Sequence, residues 1–291
     1  MTMLPLDARE GWIWMDGAFV PWKNATMHVL THGLHYASSV FEGERAYGGK
    51  IFRSVQHSQR LHASANMLGF SLPYTVDELE KAKADVIAKN NTPDGYVRAF
   101  AWRGSEALGI AAPKNTIHVA IASWEWPSYY NAEMKTKGIK LKTGQWRRPA
   151  PNTAPSAAKA AGLYMICTLS KHWAEKQGCQ DALMLDYRGY LAEATSANLF
   201  LVIDGQLHTP TPDCILNGIT RQTVMELARA QGMAVVERHM EPAELARASE
   251  VFLTGTAAEI TPVGQIDDRT YTPAAITAML SEAYAKAVRG Q

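Results

Sequence analysis

Alternating apolar and polar positions divide the first part of the chain into short strands. In WIWMDGAFVPW, two apolar segments flank Asp16-Gly17, a dipeptide that predicts a two-residue β-hairpin turn. RAYGGKIFR predicts a second hairpin with its turn at Gly48-Gly49. GYVRAFAW and TIHVAIASW predict two further strands. Alternation along the first of these places four residues on one face: Tyr96, Arg98, Phe100 and Trp102.

Two helices are predicted between these strands. SVQHSQRLHASANMLGF has helical spacing, with Val55, Leu61, Ala65 and Leu68 on one side. TVDELEKAKADVIAKNN begins with a capping box from Thr75 to Glu78 and ends at Asn90-Asn91.

The pattern of strands and helices starts again after PSYYNAEMKTKG. IKLKTGQW, DALMLD, NLFLV and EVFLTG predict strands, and Asp204-Gly205 predicts a tight hairpin. Helices are predicted at 164–177 and 220–231, with a last helix from about Pro273. These elements predict an α+β protein with two domains, 1–126 and 138–291, joined by an interdomain loop at 127–137.

Composition excludes several classes of protein. The 291 residues include 29 basic and 28 acidic side chains, so the net charge of +1 argues against nucleic acid or an anionic membrane as the main partner. No apolar run approaches the roughly 20 residues of a membrane helix, and the N-terminus does not resemble a signal peptide. Three cysteines at unrelated spacings indicate neither a disulfide framework nor a zinc site. We therefore expect a cytoplasmic protein.

Two stretches resemble ligand-binding motifs but lack residues that those motifs require. GERAYGGKI has the wrong glycine–lysine spacing for a phosphate loop, and Ile51 stands where a magnesium-binding hydroxyl is needed. His28, His32 and His35 lie close together, but no HExxH pattern is present and no carboxylate occurs before Glu42. We expect polar loop or core histidines there, and no metal site.

Lys159 has an unusual setting, because APSAAKAAGLYM surrounds it with small side chains and no other charge. Burial among such residues lowers the pKa of a lysine, and the neutral amine can attack a carbonyl to form a Schiff base. Taken alone, the stretch is equally compatible with a lysine in a flexible loop rich in alanine, proline and serine.

Three further stretches favour the chemical interpretation. In LNGITRQTVMEL, Gly218 precedes a helix whose first N–H groups form an anion site, and VFLTGTAAEITP offers hydroxyls and backbone donors for a second anion. GYLAEATSANLF carries Glu193 among small residues, where a buried carboxylate needs a cationic partner. Each feature alone can be structural. Together they match the needs of pyridoxal phosphate: a lysine, an acid for the ring nitrogen and a phosphate cradle.

Five ordered blocks give the chain a close resemblance to the branched-chain amino acid aminotransferases, fold-type IV enzymes that use pyridoxal 5'-phosphate. The blocks are HGLHYASSVFEGERAY, RRPAPNTAPSAAKAAGLY, EATSANLF, NGITR and GTAAEITPV. The resemblance implies a small α/β N-terminal domain and a larger pseudo-barrel C-terminal domain, with the cofactor between them. It also implies a homodimer or higher homo-oligomer in which the partner subunit completes the pocket.

The resemblance also implies a role for individual residues. Lys159 resembles the catalytic Schiff-base lysine, and Glu193 the partner of the pyridine nitrogen. Other implied cofactor contacts are Arg60, Ile219, Thr220 and Thr256 at the phosphate, Tyr164 at the phenolic oxygen, and Asn198. Implied substrate contacts are Tyr96, Thr256 and Ala257 at the α-carboxylate, and Phe41, Trp126, Tyr129 and Tyr36 of the partner subunit around the side chain. Arg98 is expected to bind the second carboxylate of glutamate.

The implied activity is transamination of leucine, isoleucine and valine with 2-oxoglutarate. One departure is AWRGSEALGI, which stands where familiar members carry a glycine–aspartate turn, so the finer specificity stays open. Other fold-type IV activities remain alternatives: D-amino acid or (R)-amine transamination, and aminodeoxychorismate lyase. A cofactor-free Schiff-base lyase or a binding protein is a more distant alternative.

Overall fold

The computed structural model of the protein describes residues 4–126 and 132–291. The chain forms two compact units, one comprising Met1–Pro127 and Ala158–Gly162, the other Ser128–Ala157 and Leu163–Gln291. The short stretch around Lys159 therefore packs with the first unit, although it follows the predicted interdomain loop in the chain. Among the described residues, none of the helices has both the length and the apolar character that crossing a membrane requires.

The first unit is built on one antiparallel sheet. Its strands are β1 Trp12–Met15, β2 Ala18–Pro21, β3 Ser39–Phe41, β4 Glu44–Tyr47, β5 Lys50–Ile51, β6 Gly95–Arg103 and β7 Ile117–Glu125. Its helices are α1 His32–Tyr36, α2 Ser54–Met67 and α3 Val76–Asn90, with 3-10 turns at Leu6–Ala8 and Trp22–Asn24. The strand order is β2-β1-β7-β6-β4-β5, and β3 pairs with β6. Both predicted hairpins are confirmed, because β1 pairs with β2 and β4 with β5.

The two predicted helices of the first unit are present as α2 and α3. On the side of α2 that carries the predicted apolar residues, Leu61 and Ala65 are fully buried, whereas Val55 in the first turn is 47% exposed. The capping box of α3 is confirmed: the Thr75 side chain accepts from the Glu78 N–H, and Glu78 accepts from the Thr75 N–H.

The second unit contains a mixed sheet. Its strands are β8 Ile139–Arg148, β9 Asp181–Asp186, β10 Leu191–Ala194, β11 Asn198–Ile203, β12 Gln206–Thr209, β13 Val235–Glu237, β14 Glu250–Gly255, β15 Glu259–Ile266 and β16 Arg269–Thr270. Its helices are α4 Ala132–Lys137, α5 Tyr164–Lys176, α6 Ile219–Ala230 and α7 Ala275–Ala287, with 3-10 turns at Ala161–Leu163 and Pro242–Arg247.

The sheet of the second unit closes on itself. The strand order is β10-β9-β8-β15-β14-β11-β12-β13, and an additional pairing joins β10 to β11. This pairing turns the first six strands of the path into a barrel, with β12 and β13 continuing from β11. Apolar side chains of these strands form a buried core, including Leu141, Leu183, Leu199, Leu253 and Val263. The predicted pseudo-barrel is confirmed.

Candidate active site

The backbone of Lys159 is fixed between a strand and a helix of the first unit. The Phe41 N–H donates to the Lys159 carbonyl at 3.1 Å, and the Lys159 N–H donates to the Ser64 hydroxyl at 3.0 Å. Ala160 forms a β-bridge with Val40 of β3. Ala158 and Ala160 are each 3% exposed, so small side chains let this segment lie closely along β3. Lys159 therefore belongs to an ordered, strand-like segment rather than to a free loop.

The Lys159 amine is desolvated. Burial of the ammonium, together with the charges of Arg60 and Arg98, lowers the pKa of Lys159 to about 8, although Glu42 and Tyr96 oppose the shift. The Nζ atom lies 4.9 Å from the centre of the Phe41 ring. Near neutral pH a useful fraction of this side chain is therefore the neutral, nucleophilic amine.

Arg60 of α2 lies in a buried ionic cluster. Its Nε and Nη2 donate to the two carboxylate oxygens of Glu42 at 2.7 and 2.8 Å, and His57 Nδ1 is 2.6 Å from Glu42 Oε2. Glu42 has no exposed surface. Burial acts to raise the pKa of this carboxyl, but the charge and hydrogen bonds of Arg60 and His57 hold it well below its usual range. Neither Glu42 nor His57 was predicted as a site residue: Glu42 lies in the block HGLHYASSVFEGERAY, whereas His57 lies outside the five blocks.

Four predicted substrate residues lie close together in the first unit. Arg98 and Tyr96 lie two positions apart on β6, and Arg98 Nη2 donates to the Tyr96 hydroxyl at 3.1 Å. The Arg98 guanidinium lies 4.6 Å from the centre of the Phe41 ring. The Tyr96 ring lies 4.9 Å from that of Trp126. The predicted alternation along β6 is confirmed, and it places a cation among aromatic rings.

The Tyr96 hydroxyl lies where a side chain at position 43 would be, so this position requires glycine. A Cβ at Gly43 would lie 2.0 Å from this oxygen, a distance no side chain can have. Tyr36, at the end of α1, is 45% exposed. Tyr129 lies outside the described residues.

The three clustered histidines bind backbone groups. His32 Nε2 lies 3.0 Å from the Gly109 carbonyl, and His35 Nε2 lies 2.9 Å from the Val29 carbonyl. The His28 Nδ1 atom accepts from the Leu30 N–H. The His28 and His35 contacts stay within the segment before β3, and the His32 contact joins that segment to the loop after β6.

In the second unit, Glu193, Asn198 and Thr254 are cross-strand neighbours. Glu193 of β10 pairs with Asn198 of β11, which pairs with Thr254 of β14. Directly paired residues share one face of a sheet, so these side chains lie in a row. The Asn198 amide donates to Glu193 Oε2 at 3.1 Å and to the Leu216 carbonyl at 2.9 Å. Two residues predicted as cofactor contacts are thus brought together.

Arg148 supplies the cation that the sequence analysis required beside Glu193. Its Nε lies 3.2 Å from Glu193 Oε1, and both residues are less than 9% exposed. Arg148 was missed because the predicted strand ended at Trp146, whereas β8 extends to Arg148. A signal was available, since neighbouring residues of a strand face opposite sides and one member of Arg147-Arg148 had to point inward.

Gly218 is the N-cap of α6, as predicted, so the helix begins with Ile219 and Thr220. A Cβ at Gly218 would lie 2.1 Å from Asn198 Oδ1, so this glycine lets the helix start beside the row that carries Glu193. Thr256 and Ala257 follow β14 directly and are half-buried. Tyr164 begins α5.

The residues present fit pyridoxal phosphate. Within the first unit, the desolvated Lys159 amine has the chemistry required for covalent capture of an aldehyde. Within the second unit, a carboxylate is held by a cation, and a glycine-capped helix start is able to bind phosphate. The Thr254 hydroxyl, in the Glu193 row, is buried and has no hydrogen-bond partner among the described residues. These donors and acceptors match those the cofactor requires.

Comparisons with known proteins agree with this chemistry. Residues 39–266 match the family described as amino-transferase class IV. A branched-chain-amino-acid aminotransferase of Pseudomonas aeruginosa is 41% identical over 265 residues, covering 90% of this chain and 86% of that protein.

Solved structures agree as well. The crystal structure of the Escherichia coli branched-chain amino acid aminotransferase superposes with a TM-score of 0.92 at 39% identity, covering 95% of this chain and 94% of the other. The branched-chain aminotransferase of Thermoproteus uzoniensis, solved with norvaline, gives a TM-score of 0.92 at 34% identity, with 97% and 96% covered. The chain is therefore an aminotransferase of class IV, a member of the branched-chain amino acid aminotransferases, and its cofactor is pyridoxal 5'-phosphate.

Proposed function

We propose that this enzyme transfers the amino group of L-leucine, L-isoleucine and L-valine to 2-oxoglutarate, releasing branched-chain 2-oxo acids and L-glutamate. The observation that carries the proposal is Arg98, whose guanidinium lies against the Phe41 ring and donates to the Tyr96 hydroxyl. An apolar wall and a cation in one cluster suit a site that must accept both kinds of substrate in turn.

Lys159 is the catalytic base. When bound, pyridoxal phosphate supplies an aldehyde for the substrate amine and a ring that withdraws electrons from the substrate α-carbon. Lys159 would hold the cofactor through its amine, and the same amine, when free, would take the proton from the substrate α-carbon. Its lowered pKa favours this work, because a base is most effective when its pKa lies near the operating pH.

Glu193 would hold the proton on the ring nitrogen of the cofactor, and Asn198 orients its carboxylate through the hydrogen bond to Oε2. Tyr164 would donate to the phenolic oxygen. Four residues would bind the phosphate: Arg60, Ile219, Thr220 and Thr256. The helix start at Ile219 contributes through N–H groups that have no partner within the helix.

Substrate binding is divided between an anion site and an apolar pocket. We infer that Tyr96 with the backbone of Thr256 and Ala257 binds the α-carboxylate, and that Phe41 and Trp126 line the pocket for the side chain. One methylene in an apolar pocket changes the transition-state energy by only about 1–3 kcal/mol. We therefore expect all three branched-chain amino acids to be accepted.

A substrate panel tests this function. The purified holoenzyme is assayed with L-leucine, L-isoleucine and L-valine, and separately with D-alanine and a chiral (R)-amine, each with 2-oxoglutarate. We expect kcat/KM for the three L-amino acids to exceed that for the other donors by at least about a hundredfold, since the competing substrates lack matched carboxylate or side-chain contacts. A preference for D-alanine or the amine would overturn the branched-chain assignment in favour of another class IV activity.

We also propose that the working unit is a homodimer in which Tyr36 of the partner subunit completes the pocket. An apolar surface supports this: Val29 is 71%, Leu34 61% and Ile110 84% exposed. The contact of His32 with Gly109 joins the two segments that carry these residues. Exposed apolar patches of this kind are typical of interaction sites.

Sedimentation measurements test the dimer. Ile110→Asp should shift the protein toward monomer and lower activity, whereas Val55→Asp, at a 47% exposed apolar residue of α2, should change neither. An unchanged dimer for Ile110→Asp would show that this surface is not part of the interface.

We place the enzyme in the cytoplasm, where its three free cysteines stay reduced.

A further inference from the structure

Glu193 is held at both carboxylate oxygens by different elements of the second unit. Arg148, the last residue of β8, places Nε 3.2 Å from Oε1, and Asn198 of β11 donates to Oε2 at 3.1 Å. The carboxylate is thus fixed in one orientation by two partners that come from well-separated parts of the chain.

The charge of Arg148 matters more than its position alone. Both side chains are almost fully buried, and a buried carboxylate with no cation beside it takes up a proton and becomes neutral. A guanidinium cannot lose its charge in a protein, so its attraction favours the ionised form of the neighbouring Glu193 carboxyl. A neutral Glu193 could not stabilise a protonated ring nitrogen.

The surroundings of Arg148 keep it in place. Its Nε also donates to the Cys214 carbonyl at 3.4 Å, and Nη1 lies 3.6 Å from Cys167 Sγ. Burial alone would lower the pKa of Arg148, but the charge of Glu193 raises it. Burial raises the pKa of the Cys167 thiol to about 11, so this neighbour is a neutral thiol at neutral pH.

We propose that Arg148 is a positioning residue of the transamination reaction: it keeps Glu193 ionised and oriented so that Glu193 can hold the proton on the cofactor ring nitrogen. This inference rests on the proposed role of Glu193. It assigns Arg148 an effect that operates only through that carboxylate, not a contact with the substrate.

A double-mutant cycle separates this role from simple support of the fold. Arg148→Met should slow proton removal from L-leucine in single turnover by about a hundredfold, since breaking a buried ion pair costs several kcal/mol. Arg148→Lys, which keeps the charge, should recover at least about tenfold of that loss. In a Glu193→Gln background, Arg148→Met should cause little further loss, because the group through which it acts is already neutral.

Two readouts do not depend on turnover. With ¹⁵N-labelled pyridoxal phosphate, the ring-nitrogen resonance of Arg148→Met should move from the protonated toward the unprotonated position, and Arg148→Lys should retain the protonated one. The Tm of each apoenzyme reports folding independently. Arg238→Met, which breaks a bidentate ion pair with Glu244 in the same unit, is the matched control and should leave the resonance unchanged.

The outcomes distinguish the inference from the function on which it rests. If Glu193→Gln itself leaves proton removal unchanged, the proposed role of Glu193 fails. If Glu193→Gln is slow but Arg148→Met has a normal rate or a normal ring-nitrogen resonance, the inference about Arg148 fails alone. Fully additive losses in the double variant, with a matching fall in apoenzyme Tm, would also overturn it and assign Arg148 to the fold.

Discussion

Lys159 shows how small neighbours prepare a side chain for chemistry. Ala158 and Ala160 let the segment lie along β3, where the Lys159 carbonyl accepts from Phe41 and the N–H donates to Ser64. A larger residue at either position would push the segment away and hydrate the amine. Small flanking residues therefore act on the reactivity of Lys159 by controlling its distance from the sheet.

The pKa of Lys159 can be tested on the apoenzyme. With the pKa lowered to about 8, the rate of covalent capture of pyridoxal phosphate should rise about tenfold per pH unit below pH 7.5 and level off above about pH 8.5. Stopped-flow absorbance between pH 6 and 10 measures this rate, with Lys159→Ala as the blank. A rate that still rises steeply at pH 10 would mean that the amine is an ordinary solvated lysine.

Arg98 allows a prediction about the two half-reactions. Arg98→Leu should slow the half-reaction with L-glutamate by about a hundredfold, because the distal carboxylate would enter the aromatic cluster without a cation. The half-reaction with L-leucine should fall by less than about threefold, since its side chain has no charge to pair. Single-turnover absorbance with each donor measures the two rates in one enzyme, so the leucine reaction is the internal control. Equal losses in the two half-reactions would mean that Arg98 only positions Tyr96 and does not bind the distal carboxylate.

At the scale of elements, local patterns were predictable and long-range partners were not. The hairpins at Asp16-Gly17 and Asp204-Gly205 follow from residues that adopt positive φ, 49° at Asp16 and 52° at Asp204, so their own chemistry specifies them. The β10 strand, LAEA, is too short and too rich in small residues for a periodic signal. Arg148 was missed because the predicted strand ended two residues before the end of β8, and its pairing with Glu193, 45 positions away in the chain, is not encoded locally.

The close contact between Asn198 and the first residues of α6 can be tested by adding one methyl group at Gly218. Gly218→Ala would place a Cβ 2.1 Å from Asn198 Oδ1, so Asn198 must move away from Glu193 or the helix start must shift. We expect apoenzyme affinity for pyridoxal phosphate to fall by at least about tenfold, a typical cost of overpacking a buried polar contact. Absorbance titration of the apoenzyme measures this affinity.

A second glycine in the same unit provides the control for that experiment. Gly144→Ala adds a methyl to β8 where the nearest atom, Ser170 Oγ, is 3.4 Å away, so ordinary contact results and affinity should be unchanged. If Gly218→Ala binds the cofactor as tightly as Gly144→Ala does, the helix start is less constrained than the close approach of Asn198 indicates.

At the scale of the whole molecule, closure of the second sheet is what the sequence could not specify. The apolar patterns predicted strands β8, β9, β11 and β14. They did not predict the β10–β11 pairing that closes the barrel, because strand pairing depends on contacts between distant parts of the chain. The resemblance to a known family supplied that architecture. In the first unit, the sequence likewise gave no sign that a lysine of α3 is buried, because Lys83 lies in a helix with many charged residues.

That lysine supports the fold of the first unit. Lys83 is 1% exposed, and its Nζ lies 2.8 Å from Glu44 Oε2 and 3.0 Å from Glu80 Oε1. Burial raises the pKa of Glu44 despite this cation, because loss of hydration disfavours the ionised carboxylate. Lys83→Met should lower the free energy of unfolding by about 3–5 kcal/mol, because it leaves Glu44 buried without its cation.

The double variant Lys83→Met with Glu44→Leu should recover most of this loss, because an apolar pair of similar size avoids the desolvation of both charges. Hydrogen exchange on peptides of α3 and β4 measures the opening of this unit itself, so unfolding of the other unit does not obscure the result. Lys81→Met is the control: Lys81 pairs with Asp85 on the exposed face of α3 and is 77% exposed, so exchange should change little. If the double variant exchanges as fast as Lys83→Met alone, the loss comes from packing around the lysine stem and not from an uncompensated carboxylate.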